Sequence, residues 1–152
     1  MFKEKGKTPE EVYDDLMTQG AYEEAYLDLE EIKSVKKRVM EDYLCCKEIK
    51  TLKHLSYNVI FNCHYDVFRE LCDLLLKFKK IKISNHRGAF AALILKFSEL
   101  ELDWDFLESM RNVRNYSKYQ GQDVPKETWN KIELQMNLYI SALAKEIESK
   151  LS

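Results

Sequence analysis

The sequence predicts an all-α fold, an up-and-down bundle of four to five helices preceded by a short N-terminal one. Three observations predict it. Apolar residues recur at spacings of three and four along almost the whole chain, the period of helices that bury one face. Glycine and proline number only 4 and 2 in 152 residues, too few for a many-turned β architecture. No segment alternates apolar and polar residues for long enough to compete as a strand. The length suits a single domain over residues 1–152, with residues 1–7 expected to be flexible, and it allows a core without staples.

Thr8-Pro9-Glu10-Glu11 reads as a helix start: Thr8 caps, Pro9 suits the first helical position and Glu11 completes a capping box. Gly20 terminates this short helix, and residues 21–27 read as a connector. A long helix begins near Asp28, with Ile32, Val35, Val39, Tyr43 and Cys46 on one face. The pattern weakens between Lys50 and Ser56, where a break is expected. Ile60, Cys63, Val67, Leu71, Leu74 and Phe78 then form a second long stripe. Lys77 to Gly88, KFKKIKISNHRG, is a basic connector with five Lys or Arg and no acid. A shorter helix follows, with Phe90, Leu93, Ile94 and Phe97 inward. Asp103 caps the next one, whose apolar side is Trp104, Leu107, Met110 and Val113, and Gly121 ends it. Pro125 opens the last helix, with Trp129, Ile132, Met136, Tyr139 or Ile140, Leu143, Ile147 and Leu151 inward. Short connections make sequence neighbours antiparallel neighbours, hence the up-and-down order.

The net charge of −2 and pI of about 6.0 argue against nucleic-acid affinity over the whole surface and leave room for a local basic site. MFKEKGKTPEEV lacks the apolar core of a secretory signal, and no apolar run approaches a membrane span. A cytoplasmic protein with no membrane association is expected. Cys45, Cys46, Cys63 and Cys72 show no disulfide framework and read as small core residues. Cys63 and Cys72 are nine positions apart, about 180° around a helix, so they do not converge with His64 on a metal. No metal or cofactor is called for. His64 itself reads as partly buried and hydrogen-bonded, and Tyr13, Tyr22, Tyr26, Tyr57 and Tyr65 as helix-packing residues.

Chemistry concentrates in Met110 to Gly121, MRNVRNYSKYQG. Arg111, Asn115 and Tyr119 follow at steps of four, advancing about 40° each, so they line one ridge, with Arg114 and Lys118 flanking it. Two guanidiniums three residues apart offer planar forks suited to phosphate, and the amide and phenol can orient a ligand. Most charged helix faces are merely solvated, and here that alternative has the arginines paired with Glu108 or Asp105. Lys80, Lys82, His86 and Arg87 extend the basic strip into a phosphate groove if the two clusters adjoin. Otherwise they form a solubilising loop, with His86 as a cap or surface residue.

This arrangement, with MRNVRNYSKYQG near the end of the penultimate long helix, resembles the HEPN family. It is most similar to the small prokaryotic HEPN proteins often encoded beside minimal nucleotidyltransferases. LMTQG, VIFNCHYDVFRELCDLLL and IKISNHRGAFAALILKF follow in the order of that group, so the resemblance spans nearly the whole chain in pattern. It implies a HEPN-type bundle, a role in RNA-linked defence or toxin–antitoxin biology, and a homodimer. In that family an Arg and a His from each protomer face each other across the dimer cleft and cleave RNA without metal. Carried over, Arg114 takes the Arg position and Asn115 the polar one, while Tyr119 stands where His is often found. Histidine exchanges protons near neutrality; a phenol with a pKa of about 10 positions a 2′-hydroxyl better than it deprotonates one. Two readings follow. One is a metal-independent endoribonuclease with a degenerate motif, in which Arg111 and Arg114 hold the scissile phosphate, helped by Lys118. The other is a non-catalytic helical dimer that binds a nucleotidyltransferase partner or a nucleotide.

Overall fold

A computed structural model describes residues 6–152. Six helices are found there: α1 (Pro9–Thr18), α2 (Leu29–Glu48), α3 (Tyr57–Lys77), α4 (His86–Lys96), α5 (Trp104–Tyr119) and α6 (Lys126–Leu151). The all-α expectation holds, with one small addition. β1 (Glu23–Glu24) and β2 (Ile81–Lys82) pair antiparallel, a two-residue ribbon too short to leave an alternation in the sequence. Of residues 1–7, expected to be flexible, 1–5 lie outside the described residues; the Lys7 carbonyl accepts a hydrogen bond from Trp104 Nε1 (2.9 Å).

Local chemistry sets the helix starts. Side-chain oxygens of Thr8, Asp28, Ser56, Asn85 and Asp103 each accept a backbone N–H from the first turn of α1 to α5, satisfying donors that a helix start leaves orphaned. Pro125 precedes α6. Gly20 and Gly121, at φ of 70° and 66°, take the left-handed turns that close off α1 and α5.

Tertiary packing goes further than a one-faced stripe. α3 lies against α2, α4, α5 and α6, so Phe61, Tyr65, Phe68, Cys72, Leu75 and Leu76 are buried alongside Ile60, Val67, Leu71 and Leu74. His64 is fully enclosed rather than at the border of the core. On α6 the buried residue is Ile140; Tyr139 is partly buried and its hydroxyl accepts the Asp103 N–H (2.8 Å).

Three expectations are corrected. Cys46 and Cys63 form a disulfide, with Cα atoms 5.8 Å apart, where no pairing was expected. Spacing along the chain does not reveal it, because it depends on the inner face of α2 meeting α3 at that level. Cys72 is a buried free thiol, but Cys45, read as a core residue, is an exposed one, because it lies beside the inner face of α2 rather than on it. Tyr26, read as a packing residue, is 85% exposed, since the connector carrying it runs over the surface.

Gly88 marks the closest approach of α4 to its neighbours. A Cβ there would lie 2.6 Å from both Ile83 Cδ1 and Leu16 Cδ1, and the Gly88 carbonyl accepts the Tyr22 hydroxyl at 2.7 Å. Gly88→Val is expected to cost roughly 1–3 kcal/mol by overpacking, measured by urea denaturation, with Gly88→Ala at the low end because both methyl ends can yield. Among the described residues no helix is long and apolar enough to cross a membrane.

Candidate functional site

The start of α4 and the second half of α5 meet at an open pocket of about 300 Å³. Asn85, His86 and Arg87 line it from the first; Arg111, Arg114, Asn115 and Tyr119 line it from the second. The two basic clusters therefore adjoin, but only in part. Lys118 is exposed outside the pocket. Lys80 sits in the turn after α3, where its carbonyl accepts the Ala25 N–H (3.0 Å) and its side chain borders a separate cavity beside Glu24 to Leu27. Lys82, on β2, faces Glu23 across the ribbon (3.7 Å). The stretch from Lys77 to Gly88 is thus not one basic connector. Asn85 caps α4 early enough to put His86 and Arg87 in its first turn, while the ribbon draws the lysines away.

The arginines differ in how they are held. Arg87 Nε lies 3.2 and 3.1 Å from the two Glu108 oxygens, and Arg111 Nε 3.3 Å from one of them, so one carboxylate serves two guanidiniums. The terminal amino groups of Arg111 have no hydrogen-bond partner among the described residues. Arg114 is the deepest, 8% exposed. It turns away from Glu108 and Asp105 toward α3, donating from Nη1 to Asn62 Oδ1 (2.8 Å) and pairing with Asp66 Oδ1 (3.0 Å). Its guanidinium lies 5.0 Å from the centre of the Tyr65 ring, a cation–π distance, and its Nε is buried without a partner. Tyr119, at the rim, is 70% exposed.

His86 Nδ1 lies 2.8 Å from the Tyr65 hydroxyl, and the two rings stack with centroids 5.7 Å apart. Burial first, then the Arg69, Arg114 and Arg111 charges, push the imidazole pKa down to about 4, so it is neutral at pH 7. Burial raises the Tyr65 phenol above its usual range, so it stays protonated. Asn62, Tyr65 and Asp66 were not picked out as site residues. Their signal was there: Asn62, Asp66, Arg69 and Asp73 run at steps of four, three and four along a largely apolar helix, a polar ribbon facing one side.

The lowered His86 pKa has a consequence for stability. Between about 6.5 and about 4 the unfolded chain binds a proton that the folded chain does not, so this group's share of stability falls as pH drops through that window. Buried His64, also lowered chiefly by burial, acts in the same direction. Melting temperature is expected to fall more steeply from pH 6.5 to 4 in the parent protein than in His86→Gln, as thermal unfolding would record.

Among the described residues no three His, Cys, Asp or Glu side chains converge as a metal site. No protein-family model, no curated protein and no solved structure matches this chain. The pocket is read from its own chemistry: convergent guanidiniums, an uncharged imidazole, an amide and a phenol, all suited to the oxygens of an anion.

Proposed function

We propose that this chain is a HEPN-type protein of RNA-linked defence or toxin–antitoxin systems, acting as a homodimer, and that the pocket between α4 and α5 engages the RNA backbone. The observation that carries the reading is the convergence of Arg87, Arg111 and Arg114 with Asn115 and Tyr119 around one open pocket. In the catalytic form, Arg111 and Arg114 stabilise the charge that develops on the phosphate while Tyr119 positions the attacking 2′-hydroxyl. The O2′–P bond forms, the P–O5′ bond breaks, and the 2′-hydroxyl proton passes to water as the 5′-oxygen takes one up. The products are a 2′,3′-cyclic phosphate and a 5′-hydroxyl. Incubating purified protein with tRNA and mRNA in the presence of a chelator tests this: shortened RNA with cyclic phosphate ends is expected. Equally intact RNA from the parent protein and from Arg114→Ala rules cleavage out.

One observation favours a second reading, a non-catalytic dimer that binds a nucleotidyltransferase partner or a nucleotide. Arg114 is tied to Asp66 and Asn62 within its own chain, as a structural arginine would be. Co-purification of a nucleotidyltransferase with the native protein, together with intact RNA in the assay above, is the outcome that selects it.

A further inference from the structure

We infer that His86 is a binding residue of this pocket, donating its Nε2–H to a phosphodiester oxygen, and that Tyr65 is the positioning residue that fixes its tautomer. The inference rests on the RNA reading of the pocket and names a residue that the α5 motif does not contain. Tyr65 is fully buried, and its hydroxyl has no hydrogen-bond partner among the described residues other than His86 Nδ1. A buried hydroxyl places its proton on an acceptor. Nδ1 is the acceptor at hand, so the ring's own proton sits on Nε2. That nitrogen has no partner among the described residues and is not buried, so it meets solvent where the ring lines the pocket. The Tyr65 ring also lies under the Arg114 guanidinium, so one rigid aromatic plate sets the spacing of the two groups.

Charge balance gives the neutral donor a purpose. Arg87, Arg111 and Arg114 stand against Glu108 and Asp66, leaving one positive charge, which matches one phosphodiester. Arg69, next along α3, is already paired with Asp73. An imidazolium here would double the excess; an uncharged imidazole adds a directed donor without adding charge.

The probe is a fluorescently labelled, fully 2′-O-methylated single-stranded RNA dodecamer, which presents the same diesters and cannot be cleaved. Its affinity is followed by anisotropy over a range of salt concentrations. Arg111→Ala is expected to weaken binding and to flatten the slope of log affinity against log salt by about 0.7, the share of one phosphate contact on a single strand. His86→Ala is expected to weaken binding about tenfold, the worth of one hydrogen bond to a charged oxygen, and to leave the slope unchanged. His86→Gln, which keeps an N–H donor, is expected to retain most of the affinity. Long-range ¹H–¹⁵N spectra of the unaltered protein at pH 7.5 should show His86 as the Nε2–H tautomer, and Tyr65→Phe should mix the tautomers. Parent-like binding by His86→Ala, a slope change as large as that of Arg111→Ala, or an Nδ1–H tautomer in the parent overturns the inference. If Arg111→Ala is weakened and His86→Ala is not, the role of His86 fails alone. If both bind as the parent does, the RNA reading of the pocket fails with it.

Discussion

On the proposed cleavage reading, Arg111→Ala is expected to slow the reaction by roughly 10²- to 10³-fold, the usual cost of removing one donor that stabilises developing charge on the reacting group, and to leave the fold intact. Both halves follow from its setting. Glu108 engages Arg111 through Nε alone, and the terminal amino groups of this pocket-lining side chain have no hydrogen-bond partner among the described residues. The pair spans a single helical turn, worth no more than about 0.5 kcal/mol, and Glu108 keeps Arg87 when Arg111 is gone. Arg111→Lys keeps the charge and loses the fork, so it should fall between the two. Arg114→Ala makes the contrast. It removes packing on Tyr65 as well as a charge, and should lower melting temperature along with activity. Asp66, its partner, is 53% exposed and is rehydrated when the arginine goes, which keeps the stability loss modest. Single-turnover cleavage of labelled RNA beside thermal melts of the same samples separates the two variants.

Trp129→Ala is expected to have the largest effect on stability, about 3 kcal/mol in urea denaturation, the lower end of the range for truncating a buried tryptophan. Trp129 is 1% exposed on α6 and packs on the His64 ring, with centroids 4.7 Å apart. Its indole N–H is buried without a partner, so part of the gain from burying the ring is already offset. Trp129→Phe should therefore be close to neutral, because it removes the orphaned donor and keeps an aromatic ring in place. His64 reports the cavity. Its Nδ1 lies 2.7 Å from the Ile60 carbonyl, and burial lowers its pKa. Water admitted by Trp129→Ala should bring that pKa back toward the ordinary histidine value, as an NMR titration would register. RNA cleavage should survive Trp129→Phe, because Trp129 does not line the pocket.

Features settled by near neighbours were legible in the sequence. Thr8, Asp28 and Asp103 cap helices through bonds to residues two or three positions on, and Gly20 and Gly121 end them through their own backbone freedom. The ridge of Arg111, Asn115 and Tyr119 was legible for the same reason: four-residue steps share a helix face whatever else the chain does. Features settled between elements were not. Period alone could not show that α3 is enclosed by four helices, nor that Cys46 on α2 would meet Cys63 on α3. Nor could composition divide the residues from Lys77 to Gly88. Lys80, Lys82, His86 and Arg87 read as one polar, nitrogen-bearing run, yet the Asn85 cap and the β1–β2 pairing send the first two to one place and the last two to another. Arg114 met neither acid on its own helix because Glu108 and Asp105, six and nine positions back, lie about 120° and about 180° away around α5, whereas Asn62 and Asp66 on α3 stand within reach of its guanidinium.

Photo-cross-linking of a thiouridine-substituted RNA to the purified protein, with the adducts mapped by peptide mass spectrometry, asks most directly where RNA lies. The predicted adducts fall on the segment from Met110 to Gly121, with Tyr119 at the exposed rim as the leading site, and on the first turn of α4 at His86. Adducts confined to the lysine-lined groove of Lys33, Lys36 and Lys37 between α2 and the end of α6, with none around α4 and α5, would contradict the account.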